Sequence, residues 1–278
     1  MSARASEGAQ GFKLLVCDVD GTLVDHSHVL EPELADGLRL AQSRGLLVSI
    51  ATGRMPPGVD RYRDELELSC PLIFYNGALV RDHVGGRDLH LDTLPRGVLG
   101  KVFEIFSAAP VHPLFYRDDR LYCLERSLPV RTYADAQGLR TEVVDDPGGF
   151  LAQGAFVKTL FIGHPGDLPL LRAELEAAVG PEARLVMTKR DYLELIPAAA
   201  SKGRALGRLA EHLGIPLAEV VAAGDEENDL EMLRVAGLGI AMRESPEAVQ
   251  RAAHRVAPPR ADGGLLAALR AALPAHFA

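Results

Sequence analysis

Two aspartates, Asp18 and Asp20, stand at the end of the strand-like apolar run Phe12–Cys17. Side chains two positions apart on a strand share a face, so both carboxylates would point the same way. Gly21 follows them and permits a sharp turn. Two neighbouring carboxylates at the end of a buried strand repel each other and lose hydration, a cost that a cation or a reaction can offset. One of the two could therefore be a nucleophile.

Three further polar segments stand where strand-like runs end or helix-like runs begin. Ala51–Arg54 follows the apolar run Leu46–Ile50, and Gly224–Asp229 follows the run Val220–Ala223. Ser201–Gly203 opens a helical pattern. In an open α/β sheet, ligands bind outside the carboxyl ends of the strands. We therefore expect the four segments to meet at one edge of a sheet.

The chemistry of these segments fits a metal-assisted reaction at a phosphate group. Carboxylates of the first and last segments can hold Mg²⁺, a hard cation that prefers oxygen ligands. A phosphate can be cradled by the Thr52 hydroxyl with backbone N–H groups at Gly53, the Lys202 ammonium and the Asn228 amide. Lys202 would add its charge to the positive end of a helix. A metal ion and this lysine would neutralise the phosphoryl oxygens, which lets an anionic carboxylate approach.

Each segment has an ordinary explanation when it is considered alone. The first aspartate pair could be a solvated turn or a helix cap, and Thr52-Gly53 a plain turn. Lys202 could be a surface lysine, and Asp225 with Asp229 could be acids at a helix start. His26-Ser27-His28 is more typical of a polar loop than of a zinc site, because no further ligand spacing supports it. The four segments together, in this order and spacing, favour the functional interpretation.

The elements that would position these residues alternate between strand and helix. Buried parallel strands are typically short apolar runs, here Phe12–Cys17, Leu46–Ala51, Leu72–Tyr75 and Val220–Ala223. Helical periodicity covers Pro32–Arg44, Gly203–Leu213 and Glu226–Ala236. This alternation predicts an α/β fold with a doubly wound, Rossmann-like parallel sheet and right-handed crossovers.

The middle of the chain has a different pattern, a mixed α/β block about the size of a small domain. Its expected elements are hairpins in Leu79–Leu91 and Leu114–Leu124, helices at Val98–Ala108 and Leu168–Val179, a strand at Ala155–Ile162 and two short strands in Arg184–Ile196. Runs on both sides of this block resemble parts of one sheet. The sequence therefore predicts a core domain formed by residues 1–82 and 188–278, with residues 83–187 as an inserted α/β domain.

The bulk composition excludes several function classes. The chain has 278 residues, is 47% hydrophobic and carries a formal net charge of −8, which is unlike a general binder of nucleic acid or anionic membranes. No apolar run approaches about 20 residues, so no membrane span is expected. Met1–Gly11 lacks a signal-peptide core, and three widely spaced cysteines show no disulfide or zinc pattern. We expect a cytoplasmic protein with a small-molecule partner; the oligomeric state is not indicated.

The motifs resemble those of the haloacid dehalogenase-like hydrolase superfamily, and within it the Cof-type phosphatases with a large α/β cap. The resemblance extends from about Phe12 to the C-terminal helical run Leu265–Leu273. The segments that carry it are DxDGTL at Asp18–Leu23, Thr52 within Ala-Thr-Gly-Arg, Asn-Gly-Ala at Asn76–Ala78, Ser-Lys-Gly at Ser201–Gly203, GDxxNDxxM at Gly224–Met232 and Gly-Ile-Ala-Met at Gly239–Met242.

The resemblance implies catalytic and metal-binding roles. Asp18 would be the nucleophile that forms an aspartyl-phosphate. Asp20 would protonate the leaving alcohol and then deprotonate the attacking water. The cofactor would be Mg²⁺, held by Asp18, the carbonyl of Val19, Asp20 and Asp225. Asp229 would contact these ligands rather than the metal itself, or would reach the metal through a water molecule.

The resemblance also implies how the substrate is held. The phosphate would be bound by Thr52, Gly53, Lys202 and Asn228, and the inserted domain would be a cap that excludes water and contacts the leaving group. We therefore predict a Mg²⁺-dependent phosphatase that hydrolyses a small phosphorylated metabolite, such as a sugar phosphate or a phosphorylated cofactor. The motifs leave two alternatives open: a phosphotransferase or phosphosugar mutase, and a non-catalytic protein that binds a phosphorylated ligand.

Overall fold

The computed structural model describes residues 11–25 and 27–278. Residues 1–10 of the predicted N-terminal tail, and His26 of the predicted polar loop, lie outside the described residues. The strands are β1 (Leu14–Cys17), β2 (Leu47–Ile50), β3 (Leu72–Phe74), β4 (Leu79–Asp82), β5 (Arg87–Leu91), β6 (Val111–Arg117), β7 (Arg120–Cys123), β8 (Thr141–Val143), β9 (Lys158–Gly163), β10 (Ala183–Lys189), β11 (Tyr192–Pro197), β12 (Val220–Gly224), β13 (Leu238–Ala241) and β14 (Arg255–Val256).

The helices lie between and after these strands. In chain order the α-helices are α1 (Pro32–Ser43), α2 (Asp60–Glu65), α3 (Val98–Ala108), α4 (Leu128–Gln137), α5 (Pro147–Ala152), α6 (Leu168–Val179), α7 (Lys202–Leu213), α8 (Leu230–Val235), α9 (Glu247–Ala252), α10 (Gly264–Ala272) and α11 (Pro274–Phe277). Within the described part of the chain, no helix is long and apolar enough to cross a membrane.

A five-stranded parallel sheet, here called the core sheet, forms the centre of the molecule. Its strand order is β14-β13-β12-β1-β2, and Cys17 at the end of β1 lies between Ala223 of β12 and Ile50 of β2. Alternate side chains of β1 enter two different hydrophobic clusters, Leu15 in one and Val16 in the other. Because both faces are covered, the strand is apolar throughout. The predicted doubly wound sheet is confirmed.

A second sheet of six strands, here called the mixed sheet, follows the order β10-β11-β9-β6-β7-β8. Helices α3 and α6, predicted with the bounds observed, contact each other, and their apolar residues share one cluster with the sheet. The run Leu72–Tyr75 was predicted as a strand of the parallel sheet, and this was wrong. Its strand β3 pairs antiparallel with the predicted hairpin at Leu79–Leu91 in a separate three-stranded sheet, because β4 takes up its backbone hydrogen bonds. An isolated parallel bridge between Ala51 and Ile73 links β3 to the end of β2. The division into a core domain and an inserted domain stays a prediction. Its second boundary, at 187/188, falls within β10, and β11 of the same mixed sheet lies after that boundary.

Two helix starts differ from the sequence expectation because of local capping. The helix predicted for Glu226–Ala236 begins with a single 3₁₀ turn at Glu227–Asp229, and α8 starts only at Leu230. The Asp229 carboxylate accepts hydrogen bonds from the backbone N–H groups of Asp225 and Glu226, which hold this turn together ahead of α8. Helix α7 begins one residue earlier than predicted, because the Ser201 hydroxyl caps its first turn.

The loop after β3 lies against the start of α7, and one glycine makes this approach possible. Gly77 has a φ of +95°, and a Cβ added there would lie 2.1 Å from the Ser201 carbonyl oxygen. Both the backbone conformation and the space therefore require glycine. This contact fixes Asn76, which precedes Gly77, beside the first turn of α7.

Replacing Gly77 with alanine should destabilise the protein far more than the same change at Gly45. Gly45 has a similar φ of +91° but nothing within 4 Å of an added Cβ, so Gly45→Ala should cost only the left-handed backbone, about 1–2 kcal/mol. Gly77→Ala adds the clash, roughly a further 1–3 kcal/mol. Urea denaturation of both variants measures the difference in the free energy of unfolding. Equal losses would contradict the close packing of the two segments.

Candidate active site

All four predicted segments meet at the carboxyl edge of the core sheet. Asp18 follows β1, Thr52 follows β2, Asp225 follows β12, and Lys202 begins α7. Together with residues of the mixed sheet they surround a cavity of about 500 Å³, a size typical of a small-molecule site. Predicted residues on its wall are Asp18, Asp20, Thr52, Gly53, Asp225 and Asn228.

Three carboxylates form a cluster at the floor of this site. Asp18, Asp225 and Asp229 each offer an oxygen within 4.8 Å of the others. Burial, followed by the charge of Asp229, raises the pKa of Asp225 to about 7. Burial also raises the pKa of Asp18 well above its usual range. Oxygen ligands this close together, whose ionised forms are disfavoured without a counter-charge, fit a divalent cation.

Lys202 is a buried cation that joins two members of the cluster. Its Nζ lies 2.7 Å from an oxygen of Asp18 and 2.7 Å from an oxygen of Asp229. Burial alone would lower the pKa of Lys202, but the two carboxylates outweigh it and the pKa is raised. With all three carboxyl groups ionised, the cluster and this ammonium would carry a net charge of −2. A divalent cation would cancel that charge.

Supporting contacts fix the other two carboxylates. One oxygen of Asp229 accepts from Lys202, and the other accepts the N–H groups of Asp225 and Glu226 at 3.0 and 3.1 Å. The Thr22 hydroxyl donates to Asp225 at 2.9 Å. Because both oxygens of Asp229 are already engaged, this residue is suited to a supporting role, and Asp18 and Asp225 are the better placed ligands.

Asp20 lies outside the acidic cluster and is held by an arginine. Arg54 donates from Nε and Nη2 to the two oxygens of Asp20, at 2.7 and 2.5 Å, and His28 Nδ1 lies 3.2 Å away. Burial favours a higher pKa for Asp20, but Arg54 outweighs it and the pKa is lowered. Asp20 is therefore ionised in this arrangement, and its expected side-chain role as a metal ligand stays a prediction.

The carbonyl of Val19 was also expected to bind the metal. In the structure this oxygen accepts the backbone N–H groups of Thr22 at 3.3 Å and of Val24 at 2.9 Å, which closes the turn after Asp18. Val19 itself is fully buried, and it is absent from the cavity wall. Its role at the metal stays a prediction.

The predicted phosphate-binding loop is held by backbone contacts from the next strand. The Thr52 N–H donates to the Ile73 carbonyl at 3.0 Å, and the Asn76 N–H donates to the Thr52 carbonyl at 2.9 Å. The Thr52 hydroxyl accepts the N–H of Arg54 at 3.1 Å. A Cβ at Gly53 would lie 3.0 Å from the Asn76 side chain. This packing leaves Thr52 and Gly53 facing the cavity with little freedom.

A chain of buried polar contacts connects this loop to the mixed sheet. Asn228 donates to Asn76 at 2.9 Å, and Asn76 donates to Glu194 of β11 at 2.8 Å. Lys158 of β9 donates to Glu194 at 2.7 Å and to the Gly53 carbonyl at 2.9 Å. These contacts tie two of the motif loops to strands that are distant in sequence.

Sequence reasoning gave no role to Arg54, Asn76, Lys158 or Glu194. Arg54 and Asn76 lie inside the quoted motifs, which was a usable signal. For Lys158 and Glu194 the only signal is a single charge in an otherwise apolar strand-like run. Such a charge is costly to bury without a partner, and the two have opposite sign. Their pairing nevertheless depends on how β9 and β11 align.

Comparison with known proteins agrees with this geometry. A family model of haloacid dehalogenase-like hydrolases matches residues 15–269. A Bacillus subtilis protein named as a phosphatase, YxeH, is 31% identical over 250 residues, 87% of this chain and 91% of its own. HMP-PP phosphatase of Escherichia coli O8 is 32% identical over 233 residues, covering 83% and 84%. A solved haloacid dehalogenase-like hydrolase from Bacteroides thetaiotaomicron has a TM-score of 0.85 at 26% identity, covering 94% and 99%.

The fold and the matches define a phosphoric monoester hydrolase whose core is a parallel sheet with helices on both faces. An acidic site lies at the edge of that sheet. The chain belongs to the haloacid dehalogenase-like hydrolase family, as the sequence motifs predicted. Hydrolases of this family generally use a divalent metal, and the buried cluster of Asp18, Asp225 and Asp229 could bind one.

Breaking the buried pair of Lys158 and Glu194 should be strongly destabilising. Both side chains are almost fully buried, so Lys158→Met leaves an unpaired charge and should cost about 3–5 kcal/mol. The double variant Lys158→Met/Glu194→Gln should recover part of this loss. The exposed pair of Arg172 and Glu176 is the matched control, since Arg172→Met should cost at most about 1 kcal/mol. Urea denaturation of the wild type, Lys158→Met, Glu194→Gln, the double variant and Arg172→Met measures these values. A double variant whose loss equals the sum of the two single losses would refute the coupling.

Proposed function

We propose that this protein is a Mg²⁺-dependent cytoplasmic phosphatase that hydrolyses a small phosphorylated metabolite, a sugar phosphate or a phosphorylated cofactor, through an aspartyl-phosphate on Asp18. The observation that carries this proposal is the buried carboxylate of Asp18, held 2.7 Å from Lys202 within an acidic cluster on the wall of a substrate-sized cavity. The HMP-PP phosphatase of E. coli, by its name, acts on a small phosphorylated compound, which supports this substrate class.

The metal would be held by Asp18 and Asp225, with Asp229 behind them and Asp20 and the Val19 carbonyl as the further expected contacts. Bound Mg²⁺ supplies positive charge to the phosphoryl oxygens and reduces their repulsion of Asp18. Lys202, whose Nζ lies 2.7 Å from an oxygen of Asp18, adds a second positive charge beside the nucleophile. Thr52, Gly53 and Asn228 would donate hydrogen bonds to the same phosphoryl group.

In the first step, a carboxylate oxygen of Asp18 attacks phosphorus and the bond from phosphorus to the alcohol oxygen breaks. Asp20 gives its proton to that oxygen, so the alcohol leaves neutral. In the second step, water attacks phosphorus, Asp20 takes its proton, and the bond to Asp18 breaks to release phosphate. The ionised Asp20 beside Arg54 is suited to the second step. Because only a neutral carboxyl group can donate a proton, the contact with Arg54 has to open before the first.

Replacing Asp18 with asparagine should abolish phosphate release from p-nitrophenyl phosphate, by at least about 10³-fold in kcat. The amide keeps the size of the side chain but is not a nucleophile. Asp36→Asn, on the exposed face of α1, is the control and should retain full activity. Wild-type protein should lose activity in EDTA and regain it with Mg²⁺. Full activity of Asp18→Asn, or activity that ignores the metal, would refute the proposal.

The affinity for Mg²⁺ should fall as the pH is lowered. The pKa of Asp225 is about 7 in the absence of metal, so below that pH the carboxyl group is protonated and the metal has to displace the proton. The affinity should then drop by up to about tenfold per pH unit. Calorimetric titration with MgCl₂ at pH 6, 7 and 8 measures this. Asp225→Asn should bind Mg²⁺ weakly and with a smaller dependence on pH, which the raised pKa of Asp18 would still cause. An unchanged wild-type affinity between pH 6 and 8 would contradict the expectation.

A further inference from the structure

The turn between β10 and β11 forms the wall of the cavity that faces the catalytic aspartates. Thr188, Lys189, Arg190 and Tyr192 all line the cavity there. The pairing of the two strands shifts register between Met187 and Lys189. Such a bulge bends the strand and redirects the side chains next to it. The local backbone of this turn therefore departs from a regular hairpin at the point where it meets the active site.

The basic residues of this turn differ from the other cations around the cavity. Arg54, Lys158 and Lys202 are each paired with a carboxylate at 2.5–2.7 Å. Lys189 Nζ lies 5.4 Å from the ring centroid of Tyr192, and its charge adds to those of Arg54 and His28 in lowering the pKa of Asp20. Among residues 11–25 and 27–278, no carboxylate forms an ion pair with Lys189 or Arg190. Within this described part, the cavity wall thus carries two positive charges that no carboxylate pairs directly, on a protein whose net charge is −8.

We propose that the leaving group of the substrate carries a second anionic group, a phosphate or a carboxylate, which binds to Lys189 and Arg190. This inference rests on the proposed phosphatase function, because that function places the reacting phosphoryl group at Asp18. The leaving group then extends away from the acidic cluster and toward the turn. An arginine binds a carboxylate or phosphate with two parallel hydrogen bonds, and a lysine adds a point charge.

Two tyrosines, Tyr133 of α4 and Tyr192 of β11, add apolar surface to the same cavity. The rings of Tyr133 and Tyr192 pack edge to face, with centroids 5.5 Å apart, and both line the cavity. Amphipathic rings of this kind can cover the carbon skeleton of a leaving group. The wall therefore offers apolar contact for the skeleton and positive charge for an anion at its far end.

The experiment compares four phosphate esters under saturating Mg²⁺ at 0.15 M salt. p-Nitrophenyl phosphate and glucose 6-phosphate have leaving groups without an anion, 6-phosphogluconate adds a carboxylate, and fructose 1,6-bisphosphate adds a phosphate. Wild-type kcat/KM should be at least about tenfold higher for one of the last two than for glucose 6-phosphate, as expected for a charged hydrogen bond. Which of the two is preferred identifies the anion.

The double variant Lys189→Gln/Arg190→Gln should remove this preference by raising KM for the ester with the second anion more than for p-nitrophenyl phosphate. Because the charge of Lys189 also contributes to lowering the pKa of Asp20, after those of Arg54 and His28, the readout is the ratio of kcat/KM between the esters. Lys101→Gln/Arg131→Gln makes the same charge change at exposed positions away from the cavity wall, and should preserve the preference. Equal losses for all four esters would mean general electrostatic attraction and would overturn the inference. So would a wild-type protein without preference.

A binding measurement separates this inference from the proposed function. If p-nitrophenyl phosphate is not hydrolysed with Mg²⁺, the proposed function fails. Calorimetric titration of Asp18→Asn with fructose 1,6-bisphosphate, 6-phosphogluconate and glucose 6-phosphate still decides the inference, since it needs no turnover. The inference is supported if a compound with the second anion binds more tightly and if this advantage is lost in the triple variant Asp18→Asn/Lys189→Gln/Arg190→Gln. Equal binding of all three compounds overturns the inference.

Discussion

The contact between Lys202 and two carboxylates, Asp18 and Asp229, is the constraint around which the active site is arranged. Burying three carboxylates within 4.8 Å of one another is costly, because each loses hydration and repels the others. Lys202 offsets one charge from a fully buried position. A divalent cation could offset the rest, and the buried cluster of Asp18, Asp225 and Asp229 could bind one.

The packing around the start of α7 determines the position of this lysine. Lys202 lies at the start of α7, so the placement of the helix determines where its ammonium lies. Ser201 caps the helix, and Gly77 lets the loop after β3 lie against Ser201. The same contact positions Asn76, whose side chain accepts a hydrogen bond from Asn228 and donates one to Glu194. A packing requirement at one glycine is thus connected to the chemistry of the site.

The mixed sheet takes part in the site in two ways. Through Lys158 and Glu194 it holds the loop of Gly53 by buried, paired charges, which favour one geometry because any other leaves a charge unpaired. Through the turn after β10 it presents exposed cations to the cavity. The first contact is buried and paired, whereas the second is the one through which we propose that the leaving group is recognised.

The sequence by itself determined that a parallel sheet forms the core, with β1, β2 and β12 in it, and that Asp18 and Asp225 lie at the ends of its strands. Buried parallel strands have to be apolar on both faces, so they are visible as continuous runs, and the polar residues just after them mark the ligand-binding edge. The helices α3 and α6 were equally clear from their periodicity. Asp18, Lys202 and Asp225 could be found for these reasons.

Only the tertiary structure decided which charges pair. Arg54 lies 34 positions from Asp20, and Asn76 lies 118 positions from Glu194, distances over which no periodicity operates. The structure thereby placed Asp20 against Arg54 rather than in the acidic cluster, and within its described residues it paired no carboxylate with Lys189 or Arg190. The physical reason is that an ion pair depends on a few ångströms of separation, which strand register and helix placement set after the local pattern has been satisfied.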